Sequence, residues 1–159
     1  MTRVIPYIDT TVAVEKTLAE IEELLRVHNA SHVVKEYESG RIKAVAFKHD
    51  GVPFQLPANV EALYQHLLTA RKALPRFRYE YPSHEIQGRI HAQAERCAWR
   101  NVMAWVKAQL ALVEIGMVTV TEVFLPYMLM GGNTTLYQDM MTRGLRALPS
   151  GIEEADHAS

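Results

Sequence analysis

The chain has 159 residues, 48% of them apolar and 22% charged, the balance of one globular domain with a sizeable core, here expected over 1–149. Its net charge of -1 hides an uneven distribution. Residues 1–70 hold seven Lys/Arg against nine Asp/Glu, residues 71–107 hold eight against three, and the tail from Ser150 holds acids only. An anionic partner would therefore sit on the middle of the chain.

From the N-terminus, RVIPYIDT reads as a short extended lead-in stopped at Pro6. Thr11 reads as the cap of a helix over 12–28 that buries Val14, Leu18, Ile21, Leu24 and Leu25. Asn29 is a left-handed stop. HVVKEYE, RIKAVAFKH and VPFQLP are separated by Ser39-Gly40 and Asp50-Gly51, strong hairpin signals, and predict a three-stranded antiparallel meander over about 32–57. Asn59 caps a second helix, 60–73, whose Val60, Leu63, Leu67 and Leu68 are expected to cover one face of that sheet. In RFRYEY, Phe77, Tyr79 and Tyr81 alternate with Arg76, Arg78 and Glu80 at strand spacing, one face aromatic and the other mostly basic.

The longest helical period runs over 84–115. Its broad apolar face includes Ala94, Val102, Trp105, Val106 and Leu110, too wide for a surface helix, so this helix is expected to be largely enclosed. On the opposite side Arg89, Arg96, Arg100 and Lys107 fall within about 20° of one line. Gly116 ends the helix, and Thr119 with Glu122 has capping-box spacing. VTVTEVFLPYMLM, 118–130, is apolar on nearly all sides and reads equally as a last core element or as a contact in a homo-oligomer. Gly131-Gly132-Asn133 is a loop, Thr134 caps a final helix through about Arg143, and 150–159 is expected to be a disordered acidic tail. The fold class expected is α+β: an N-terminal helix, the meander, a second helix, a long central helix and shorter C-terminal helices.

FQLPANV, AERCAWR, Trp105, AQLALVE and VFLPYM resemble the recurring blocks of a family of small proteins, without assigned activity, encoded by bacterial genomes, phages and integrated elements. The resemblance spans most of the chain. It implies a role in handling DNA or in the contest between phage and host defence, and it supplies no catalytic residues.

Several chemistries fail on the residues themselves. The single cysteine, Cys97, excludes an internal disulfide and a zinc pattern of cysteines, and reads as a small apolar filler rather than a reactive thiol. There is no Gly-rich phosphate loop and no GxSxG. A double-stranded RNA-binding domain would start its second helix with lysines, where this chain has Asn59-Val60-Glu61. A restriction-type nuclease would need an acid followed by Glu-x-Lys on adjacent strands, and Glu36, Glu38 and Asp50 lack the lysine. No apolar stretch near the N-terminus is long enough for a signal peptide or a membrane span, so a cytoplasmic protein with no membrane partner is expected.

His91 and Glu95, four apart on the long helix, could share a metal ion or a proton. A third ligand is not evident, so they read as a hydrogen-bonded pair that fixes packing, with no metal and no cofactor. Both tryptophans, Trp99 and Trp105, read as core. The leading functional expectation is a nucleic-acid-binding accessory protein of a phage or mobile element, for single-stranded DNA, using Arg76, Arg78, Tyr79, Arg89, Arg96, Arg100 and Lys107. Second comes a protein-binding or small-ligand-sequestering anti-defence module working as a homo-oligomer through 118–130. A metal-dependent enzyme comes third.

Overall fold

A computed structural model describes residues 4–144; the acidic tail, 150–159, lies outside the described residues. The fold is α+β. Two tight turns organise its sheet. Ser39-Gly40 and Asp50-Gly51 hold φ values of 51° and 77°, and of 49° and 76°, so both central residues of each turn are left-handed, as two-residue hairpins require. They join strands β1 (His32–Glu38), β2 (Arg41–His49) and β3 (Val52–Pro57) in the antiparallel order β1-β2-β3. Within β2, Lys43 has no partner, because Glu36 faces Ala44 and Tyr37 faces Ile42. That bulge resets the alternation and brings Ile42 into the core with Val45 and Phe47.

Helix α1 (Val14–Val27) and helix α3 (His84–Glu114) close over the inner face of the sheet, with α2 (Val60–Ala73) between β3 and α3 in the chain. Leu18, Ile21 and Leu25 of α1 meet Phe47, Phe54 and Leu56 of the sheet and Trp99, Met103, Val106 and Leu110 of α3 in one apolar cluster. Phe124 of the short helix α4 (Val120–Phe124) fills its centre, edge-on to Phe47 at 5.4 Å and to Trp105 at 5.5 Å between ring centroids. The 31-residue α3 is therefore the spine, about 46 Å long. Ser83 caps its start by accepting from the Ile86 N–H at 3.3 Å. Gly116, at φ 80°, ends it: its N–H donates to Val113 O and that of Met117 to Leu112 O, the paired reversal that satisfies the last carbonyls.

Four local expectations are corrected. The lead-in is a turn rather than an extended segment, with Tyr7 at φ 60° and the Thr10 N–H donating to Tyr7 O. Consequently α1 begins at Val14 behind Ala13, with no side-chain cap from Thr11. Helix α2 buries no residue fully and packs along α3 instead of covering the sheet, whose inner face α1, α3 and Phe124 already fill. Thr135, one residue later than expected, caps α5 (Leu136–Arg143) in a capping box with Gln138. The reason is a two-stranded ribbon that the apolar run conceals: β4 (Leu129–Gly131) pairs with β5 (Thr134–Thr135) around Gly132-Asn133 and uses Thr134 in the ladder. Among the described residues no helix is long and apolar enough to cross a membrane.

Candidate nucleic-acid interface

The connection from α2 to α3 is not the strand that its alternation predicts. Pro75 opens a single 3-10 turn, Pro75–Phe77, and its fixed φ suits that position. The Phe77 and Glu80 N–H groups donate back to Leu74 O and Phe77 O, which leaves no extended backbone for a sheet. What the turn does is hold Phe77 beneath two guanidiniums, that of Arg71 at 3.9 Å and that of Arg76 at 4.5 Å from the ring centroid. Arg71 also faces Glu80 at 3.7 Å, so it serves the turn. Arg76 and Arg78 are exposed and take part in no ion pair among the described residues. Between them and α3, Tyr79 and Tyr81 stand in solvent at 95% and 82% exposure. Beside Tyr81 lies a recess of about 340 Å³ walled by Tyr64, Gln65, Leu68, Lys72 and Gln87.

The basic line on α3 fares differently. Arg89 is held by Glu85 one turn earlier at 2.6 Å. Arg96 donates to Gln93 Oε1 at 2.5 Å and keeps its Nε buried without a partner. Arg100 donates to Glu20 Oε2 of α1 at 2.7 Å with its side chain only 19% exposed. Arg96 and Lys107 make no ion pair among the described residues, and Lys107 alone of the four makes no side-chain hydrogen bond there either; it borders a groove of about 520 Å³ between α1 and α3, shared with Lys16, Glu20, Glu23 and Met103. The line is thus a helix–helix seam over its middle, not a continuous cationic track. A wheel shows which residues align and cannot show that α1 docks there. Nor does it show the strap: Gln93 donates to Ile8 O and Thr10 O, and Asn101 to Pro6 O, so the lead-in crosses α3 beside Arg96. The buried Cys97 thiol also points at Pro6 O, at 3.4 Å, and burial pushes its pKa up.

His91 and Glu95 are both half-buried, yet no hydrogen bond joins them, so the expected pair is corrected. The His91 ring lies 5.3 Å from the Tyr64 ring, and its Nδ1 is buried with no partner. Burial, and then the charge of Arg41, lower its pKa; Glu95 and Glu61 oppose this weakly. Trp99 is fully buried, as expected, whereas Trp105 is only half-buried against Phe124 and Tyr127. Among the described residues no three His, Cys, Asp or Glu side chains are grouped to hold a metal.

Searches with this chain find no matching protein-family model, no matching curated protein and no matching solved structure.

Proposed function

We propose that the chain binds single-stranded nucleic acid through the α2–α3 connection, as an accessory protein of a phage or mobile element. The observation that carries the reading is the pair of solvent-exposed rings, Tyr79 and Tyr81, beside the exposed guanidiniums of Arg76, which lies over Phe77, and Arg78, neither in an ion pair among the described residues. Exposed rings offer stacking platforms to unpaired bases, and cations next to them take the phosphates. The recess at Tyr81, with the amides of Gln65 and Gln87 and the ammonium of Lys72, gives a turned-out base polar edges to meet. The resemblance to proteins of phages and integrated elements supports the same reading. The test is fluorescence anisotropy with labelled single- and double-stranded oligonucleotides at two salt concentrations. Single strands should bind more tightly, and Tyr79→Ala should weaken them by about 1–3 kcal/mol while changing duplex binding little. No binding at low salt would end this reading.

One observation favours a second reading, a protein-binding module. Leu125, Tyr137 and Met141 are exposed around a wholly apolar recess of about 190 Å³ completed by Pro126, Leu136 and Met140. Apolar side chains gathered in this way mark contact surfaces, and the recess involves the second half of the run 118–130. A concentration-dependent mass in analytical ultracentrifugation, abolished by Met141→Glu, would favour it.

A further inference from the structure

A second site, not used by the nucleic-acid reading, lies at the first turn of α2, adjoining the recess at Tyr81 through the Gln65–Glu61 hydrogen bond. A cleft of about 370 Å³ opens between the β1–β2 turn, the first turn of α2 and the second and third turns of α3, a volume at the lower end of small-ligand sites, roughly 300–1,000 Å³. Its walls carry opposite charges. Arg41 comes from β2, exposed and without an ion-pair partner among the described residues, since the neighbouring Lys43 is taken by Glu38 at 3.3 Å. Glu61 comes from α2 and Glu95 from α3; Glu61 accepts one hydrogen bond, from Gln65 at 2.8 Å, and Glu95 accepts none among the described residues. His91 sits between the two walls, within the electrostatic reach of all three charges. Its Nδ1 is buried without a partner. A lone pair is cheaper to bury unpaired than an N–H, so the proton of the neutral ring belongs on Nε2, where it can be donated.

We infer that this cleft binds a small zwitterion of the α-amino-acid class, its carboxylate taken by Arg41 and the Nε2–H of His91, its ammonium by Glu95 and Glu61. Both signs are present on the walls. Without the Glu38–Lys43 pair they carry one cation and two carboxylates, so a simple anion meets net repulsion, a simple cation balances the net charge but leaves Arg41 unpaired, and a zwitterion partners both signs. Ile42, Ala58 and Val60 supply the apolar lining for a side chain.

The experiment uses the full chain with a panel of free L-α-amino acids, and acetate and methylammonium as single-charge probes. Readouts are the melting temperature and the ring resonances of His91, assigned by their loss in His91→Gln. At least one amino acid should raise the melting temperature and move the His91 resonances, and neither single-charge probe should match it. Arg41→Ala, at an exposed position, and Glu95→Gln should each weaken that binding about tenfold or more, the loss of one charge-assisted hydrogen bond. The inference is overturned if no amino acid produces either response, if methylammonium binds as well as the best amino acid, or if Arg41→Ala leaves the affinity unchanged.

Discussion

At the scale of single residues, the two titratable groups that burial perturbs most on α3 behave in opposite ways. His91 faces Arg41 from β2, Glu61 and the Tyr64 ring from α2, and Glu95 from its own helix; burial is the largest influence and favours the neutral ring. Its folded pKa therefore lies below the ordinary imidazole value of 6.5. In the window between the two values the unfolded chain binds the extra proton. The stability this site contributes is thus fully present above 6.5 and is lost as pH falls through the folded pKa. Thermal melts over that window should show a steeper acid-side decline for the wild type than for His91→Gln; identical profiles would mean the ring is solvated. Cys97, by contrast, is buried beneath the strap with its pKa raised. A thiol held neutral and out of reach is a poor nucleophile, so Ellman's reagent should react with native protein at the rate of global opening. Asn101→Ala, which removes the hydrogen bonds its amide donates to Pro6 O, Cys97 O and Cys97 Sγ, should raise that rate, the loosened strap outweighing the lost bond that favours the thiolate. Rapid native labelling would show that the strap does not seal the site.

At the scale of elements, the seam between α1 and α3 gives a sharper test than the basic line suggested. Arg100 and Glu20 are partly shielded, so Arg100→Glu should cost about 1–3 kcal/mol, between the limits for exposed and for buried pairs. Adding Glu20→Arg should restore most of it in urea denaturation, because the swap re-forms the pair with reversed sign. Equal losses in the single and double variants would mean that packing, not charge, joins the helices. The same seam marks the limit of what the sequence discloses. The three strands, both hairpin turns and the ends of α2 and α3 were legible, since Asn59, Ser39-Gly40, Asp50-Gly51 and Gly116 act through local backbone geometry. Hidden were the features set by distant partners: Glu20 on Arg100, the lead-in carbonyls on Gln93, and the ribbon that pairs Leu129 with Thr135. RFRYEY misled because period-two alternation is equally compatible with a turn when a proline precedes it and no neighbouring strand edge is within reach. Of the connection, the exposure of Arg76, Arg78 and Tyr79 is found while the strand conformation read from their alternation is not; of the α3 line, the alignment was right and its availability was not.

At the scale of the whole molecule, the positive middle of the chain divides between two ends of α3. Arg76 and Arg78 lie just before its start, while Lys107 lies near its end, about 35 Å along the axis from His84 at 1.5 Å per residue. Between them the cations are tied to Glu85, Gln93 and Glu20. A strand seated on Tyr79 and Tyr81 would therefore exchange counterions at the connection and not along the helix. For single strands, the slope of log K against log salt changes by about 0.7 for each phosphate contact. Arg76→Ala with Arg78→Ala should flatten it by about 1.4, whereas Lys107→Ala should leave it unchanged within error. Arg89→Ala separates a short footprint from a longer one. Arg89 stands about 8 Å from the start of α3, and a strand running onto the helix would draw it from Glu85 and lose a further ~0.7 on its removal. If Lys107→Ala flattened the slope as much as the arginine pair does, nucleic acid would be following α3 after all. In that case the Arg100–Glu20 pair would have to open on binding, and the Arg100→Glu, Glu20→Arg swap would bind as weakly as Arg100→Glu alone.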